Sequence, residues 1–113
     1  MTFGSYLQQL RKSRKLRQVD LALKIGVSPV YVCDIENDRR YPPSLEKLRM
    51  WDLQLDLSTK ESSQFYDLAG LARESSPPDI TKYLCDNPTA RQAIRRIIEQ
   101  KINYNWDSIP SEK

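Results

Sequence analysis

Histidine is absent from this 113-residue chain, and cysteine occurs only at Cys33 and Cys85. Two distant thiols without an imidazole do not make a metal set, so no zinc site is expected. Buried or half-buried free thiols are the expected state, rather than a disulfide. Long apolar runs are also missing, which argues against a membrane span. No apolar leader of the signal-peptide kind opens the chain, so a cytoplasmic location is the default expectation. A catalytic reading finds equally little: there are three glycines and no glycine-rich phosphate loop, no paired carboxylates on a recognisable cleft, and the serines stand where helix caps belong. The chain is read as non-enzymatic and in need of no cofactor. Its length suits one ordinary domain with one core.

What is present is a pattern in residues 18–37. Leu21 and Ile25 stand four apart and Val32 and Ile35 three apart, each spacing that puts its pair on one face of a helix. Between them lies Gly26-Val27-Ser28-Pro29. Glycine takes positive φ at no steric cost and ends the first helix; Val27 plugs the corner, Ser28 can cap, and Pro29 suits a first helical position. Ala22 falls where a larger side chain would hold the two helices apart. The expected unit is a helix-turn-helix, whose second helix is the one offered to a DNA major groove.

On these points the stretch resembles the phage repressor and Cro type of helix-turn-helix domain, the xenobiotic-response-element family of transcriptional regulators. The likeness covers about residues 3–70. It implies an all-α fold: a five-helix lambda-repressor-like DNA-binding domain with a C-terminal helical extension. It also implies an ion pair between Arg11 and Glu36, a phosphate-contacting Gln18, and a loop Asn37-Asp38-Arg39-Arg40-Tyr41 leading into Pro42 and Pro43 that meets the DNA backbone. Base-reading positions of the family fall on Pro29, Val30 and Asp34, with Ser28 and Tyr31 beside them. One departure stands out: glycine is usual where this chain has Asp38. Aspartate tolerates the left-handed region better than most residues, so the turn is expected to survive at modest strain.

Charge is mild in sum, +3, but unevenly placed. Arg11, Lys12, Arg14, Lys15 and Arg17 crowd just before the motif, and Arg39 and Arg40 follow it. The latter pair is expected on phosphate; Arg14, Lys15 and Arg17 are open between phosphate contact and a solvated helix end, with Arg17 carried as a candidate contact. The recognition helix itself has no arginine, glutamine or asparagine for bidentate base contacts. Val30 suits a thymine methyl, Tyr31 a phosphate or base edge, and Asp34 either a cytosine amino group or the task of orienting a neighbouring arginine. Part of the specificity is then expected from DNA shape or water.

Around the motif, a first helix over Phe3–Ser13 would bury Phe3, Leu7 and Leu10, with Tyr6 beside them. Ser44 is placed to cap a fourth helix carrying Leu45, Leu48 and Trp51. Ser58 with Glu61 makes a capping box for a fifth that buries Phe65, Leu68, Ala69 and also Leu71. This gives a domain over residues 1–72, a Ser/Pro-rich join over 73–78 and a helical extension over 79–113. In the extension a short helix would use Ile80, Tyr83 and Leu84. Asn87-Pro88 then starts a helix running to about Ile102, with Ala90, Ala93, Ile94, Ile97, Ile98 and Ile102 opposite Arg91, Arg95, Arg96 and Glu99. Ile94, Ile97, Ile98 and Ile102 are read as a homodimer contact, the alternative being packing within the chain. Tyr104, Trp106 and Ile109 follow, in an arm or a tail.

Two functional classes follow. The first is a sequence-specific regulator that binds double-stranded DNA, a repressor sitting as a homodimer on a palindromic operator. The second is an interaction module such as an antitoxin, whose C-terminal segment grips a protein partner while DNA binding is autoregulatory.

Overall fold

The computed structural model describes residues 1–100, and within them every regular element is a helix. In chain order these are α1 (Phe3–Ser13), α2 (Gln18–Ile25), α3 (Pro29–Glu36), α4 (Leu45–Leu55), α5 (Thr59–Ala72), α6 (Pro78–Asp86) and α7 (Pro88–Glu99). The chain divides into two compact units, residues 1–78 and 79–113.

The helices of the first unit start where local chemistry starts them. Thr2 caps α1 by accepting from the Ser5 amide, and the Ser5 hydroxyl answers to Thr2. Ser28 accepts from the Tyr31 amide at 3.1 Å, and Pro29 occupies the first turn of α3. Ser58 and Glu61 form the reciprocal box at the head of α5. Such caps satisfy amides that have no partner inside the helix, at about 1 kcal/mol each. Ser44 does stand at the N-cap of α4, yet its side chain makes no capping bond.

One core closes the first unit. Leu7 of α1, Leu21 of α2, Val32 and Ile35 of α3, Leu48 and Trp51 of α4 and Phe65 of α5 are all but inaccessible to solvent. Phe3 and Phe65 meet with ring centroids 5.1 Å apart. Burying side chains of this size contributes about 1.5–3 kcal/mol apiece. Where α1 crosses α3, Gly4 lies against the carbonyls of Ile35 and Glu36, an approach that any Cβ would block. Leu71, expected inside, is 68% exposed, while Leu68 is half-buried against the core. The Ser/Pro-rich residues begin on this unit: the Ser75 amide returns to the Gly70 carbonyl at 2.9 Å, and Ser76 and Pro77 pack on Gly70.

The second unit is built differently. Neither α6 nor α7 buries a residue. Of the apolar positions expected to pack, Leu84, Ala90 and Ile97 are half-buried, whereas Ile80, Tyr83, Ala93, Ile94 and Ile98 are exposed. Arg91 is not on the free polar face expected for it: its guanidinium donates to the Leu84 and Cys85 carbonyls, closing the end of α6. Asn87 precedes α7 without capping it, its side chain donating instead to the Tyr83 carbonyl. The dimer candidate Ile102, like Tyr104, Trp106 and Ile109, lies outside the described residues. Cys33 is half-buried and Cys85 exposed, both as free thiols. No described helix is long and apolar enough to cross a membrane.

Candidate nucleic-acid interface

The corner between α2 and α3 is made by Gly26, at φ 74° and ψ 37°, whose amide donates back to the Ala22 carbonyl. That left-handed conformation costs glycine nothing and would strain any other residue here. The Val27 amide also returns to Ala22, and the Val27 side chain packs half-buried on the core. With Ala22 at 1% exposure, the two helices meet closely.

A buried polar brace fixes the far end of α3. Arg11 Nε donates to Glu36 Oε2 at 2.7 Å and Nη2 to Oε1 at 3.0 Å, a bidentate pair. Arg11 Nη1 also reaches the Leu16 carbonyl, and Gln18 Nε2 donates to Glu36 Oε1 at 3.1 Å. The Glu36 side chain is 1% exposed. A carboxylate so desolvated is tolerable only because several charge-assisted donors converge on it. Gln18, the candidate phosphate contact at the head of α2, is therefore held in place by the end of α3.

After Glu36 the chain reverses at Asp38, whose φ of 59° puts it in the left-handed region. The aspartate side chain adds something glycine lacks. Its two oxygens accept from the Thr2 hydroxyl at 2.8 Å and the Gly4 amide at 3.2 Å, tying the loop to the start of α1. Asn37 donates to the Cys33 carbonyl, closing α3. Tyr41 is 65% exposed, with the Arg73 guanidinium 5.0 Å over its ring; Arg73 also donates to the Pro42 carbonyl.

On the outward side of α3, Ser28, Pro29 and Val30 are open, Val30 at 69% exposure. Tyr31 and Asp34 are not free in the same way. The Tyr31 and Trp51 rings meet nearly at right angles, centroids 6.2 Å apart, and the Arg40 guanidinium lies over the Tyr31 ring. Asp34 pairs with Arg39 at 3.6 Å and Arg40 at 3.4 Å. Arg17 is exposed but engaged by Asp20 at 3.0 Å, a contact that raises the arginine's pKa and lowers that of Asp20. Arg14 faces inward instead: it donates to the Leu55 carbonyl and to Glu61, tying the end of α1 to α4 and α5.

A helix-turn-helix family model matches residues 7–61. The immunity repressor protein of Bacillus phage phi105 is 52% identical over 48 residues, which is 42% of this chain and 33% of that protein. The chain thus spans about a third of the length of this curated relative. No solved structure matches significantly.

The N-terminal unit is a helix-turn-helix domain. Within it, the fitted corner, the brace and the exposed start of α3 occupy one contiguous stretch of sequence plus Arg11. The helix-turn-helix domain also rests on contacts that its motif does not announce. Asp38 with Thr2 and Arg14 with Glu61 join residues 36 and 47 positions apart, a separation at which no local pattern operates. The signal available for Arg73 was its place at the end of a helix, where cations reach free carbonyls, but its carbonyl belongs to another segment.

Proposed function

We propose that this protein is a sequence-specific regulator of transcription that binds double-stranded DNA, acting as a homodimeric repressor on a palindromic operator. The observation that carries this reading is the state of α3. Its inner face is locked to the core by Val32 and Ile35 and its end by Glu36, while Ser28, Pro29 and Val30 project from its first turn. A helix held rigidly at one side and bare at the other is what major-groove insertion needs. Arg39, Arg40, Asn37 and Tyr41 follow in a loop that can meet phosphate, and Gln18 and Arg17 stand at the head of α2 for the other flank. Kinship with a phage immunity repressor over 48 residues supports repression as the output. Such a regulator works in the cytoplasm, binds no cofactor and catalyses nothing.

The dimer rests on α7, where Ile94 and Ile98 are exposed and Ile97 is half-buried on a helix flanked by arginines. Two copies related by a two-fold axis would present their recognition helices about 34–36 Å apart, one turn of duplex. Selection of binding sites from random duplexes with the purified chain, repeated at two salt concentrations, tests the whole reading. It is expected to return an inverted repeat with salt-sensitive affinity. Recovery of no preferred sequence would overturn it. Should removal of residues 79–113 leave operator binding intact and release a protein partner, the antitoxin-like alternative would stand instead.

A further inference from the structure

Side chains from α4, α3 and the loop that follows α3 form a continuous series of contacts that leads from the core to that loop. Trp51 is 1% exposed and meets the Tyr31 ring nearly at right angles; Tyr31 carries the Arg40 guanidinium, whose carbon lies 5.3 Å from the ring centroid. Asp34, one turn further along α3, gives one carboxylate oxygen to each arginine: Oδ1 faces Arg39 and Oδ2 faces Arg40. The backbone enforces this fold-back, because the Arg39 amide donates to the Asp34 carbonyl at 2.8 Å and Asp38 turns the chain. The arginines remain 66% and 57% exposed at their side chains, while the Asp34 side chain between them is reduced to 23%.

We propose that Asp34 is a specificity-determining positioning residue, which with Tyr31 as its platform holds Arg39 and Arg40 against the recognition helix and restrains their attraction to arbitrary DNA. The proposal rests on the reading of α3 as the recognition helix. Two loose guanidiniums would bind any phosphate, since backbone attraction carries no sequence information. A carboxylate between them cancels one of the two positive charges and repels phosphate by itself. It also fixes where the guanidinium planes sit, so both can meet the backbone only when α3 is seated in its proper register. Tyr31 contributes by stacking on Arg40, which a planar cation over an aromatic face favours. Direct base contact then falls to Ser28, Pro29 and Val30, a nearly apolar set.

The test compares the full chain with Asp34→Asn, Asp34→Glu and Tyr31→Leu, on the selected operator and on random duplex at two salt concentrations. Asp34→Asn is expected to bind random duplex about tenfold tighter at low salt, with a steeper salt dependence and a smaller ratio of operator to random affinity. Glutamate should restore the wild-type ratio, and Tyr31→Leu should shift it the same way as asparagine, but less. In the DNA-free protein, the Arg39 and Arg40 Nε–H groups should lose order on the nanosecond scale by NMR in Asp34→Asn. Unchanged or weaker binding of Asp34→Asn to random duplex would overturn the proposal. So would a new base preference at one operator position, because Asp34 would then be reading a base directly. If the wild-type protein ignored every duplex while its arginines stayed ordered, the recognition reading would have failed rather than the bracing.

Discussion

In the first unit, Leu48 and Phe65 have no measurable exposure; in the second, Ile98 is 68% exposed and no described residue is buried. Both regions are helical and both have apolar residues at helical spacing. What separates them is the number of surfaces available to cover an apolar stripe. Five helices enclose a core from several directions, whereas two short helices leave most of their apolar surface facing water, and tertiary or quaternary packing supplies most of a short helix's stability. The contrast assigns cooperative folding to the first unit and gives the second a need for covering surface, which the proposed dimer would meet.

Truncating the core is the strongest way to probe that contrast. Phe65→Ala is expected to cost about 4 kcal/mol in denaturant unfolding, whereas Ile98→Ala should cost less than about 0.5 kcal/mol in the unfolding of the first unit. Comparable losses from the two changes would erase the distinction. Next in size is the buried brace: Arg11→Ala strands Glu36 without its bidentate partner and should cost about 3 kcal/mol, measured the same way. Retention of full stability would mean that the pair contributes nothing to the fold.

Disrupting the second unit should move assembly and leave the first unit's fold alone. Ile94→Asp with Ile98→Asp is expected to yield monomers in sedimentation and to weaken operator binding about a hundredfold through loss of the linked half-site. A dimer that survives both charges would place the contact elsewhere. The smallest expected effect concerns the head of α5. Hydrogen bonding to the Ser58 amide, then to Arg14, holds Glu61 below its ordinary pKa. Since the folded value is the lower one, this stabilisation is present above the unfolded glutamate range and is lost as pH falls through the folded value. Ser58→Ala should cost about 1 kcal/mol at neutral pH, and Glu61→Gln should flatten the acid limb of the stability profile. An acid limb unchanged by Glu61→Gln would remove that carboxylate from the account.

Much of the helix-turn-helix domain was legible because its determinants are local. Gly26 at the corner, Ser28 before Pro29, and Ser58 three residues before Glu61 act within a single turn of backbone, so their neighbours in sequence are their partners in space. The departure at Asp38 was legible as a tolerated left-handed residue, but not as a tie to Thr2 and Gly4, because α1 had first to be packed across the loop. Tyr31 illustrates the same limit. Spacing placed it on the outer side of α3, and only the position of Trp51 on α4 made that side a stacking surface. Leu71 erred in the other direction: helical spacing allowed it inside, yet it emerged on the solvent side of α5.

By itself the sequence determined the helices, the caps at Ser28 and Ser58 and the shape of the α2–α3 corner, because periodicity, φ preference and capping act over four or five residues. Tertiary structure alone decided which outward residues are free and which are engaged. Arg14 became a tie between helices, Asp34 a partner to two arginines and Arg91 the closure of α6. A long charged side chain can reach many places, and its choice depends on which carbonyls and carboxylates the fold brings within hydrogen-bonding distance.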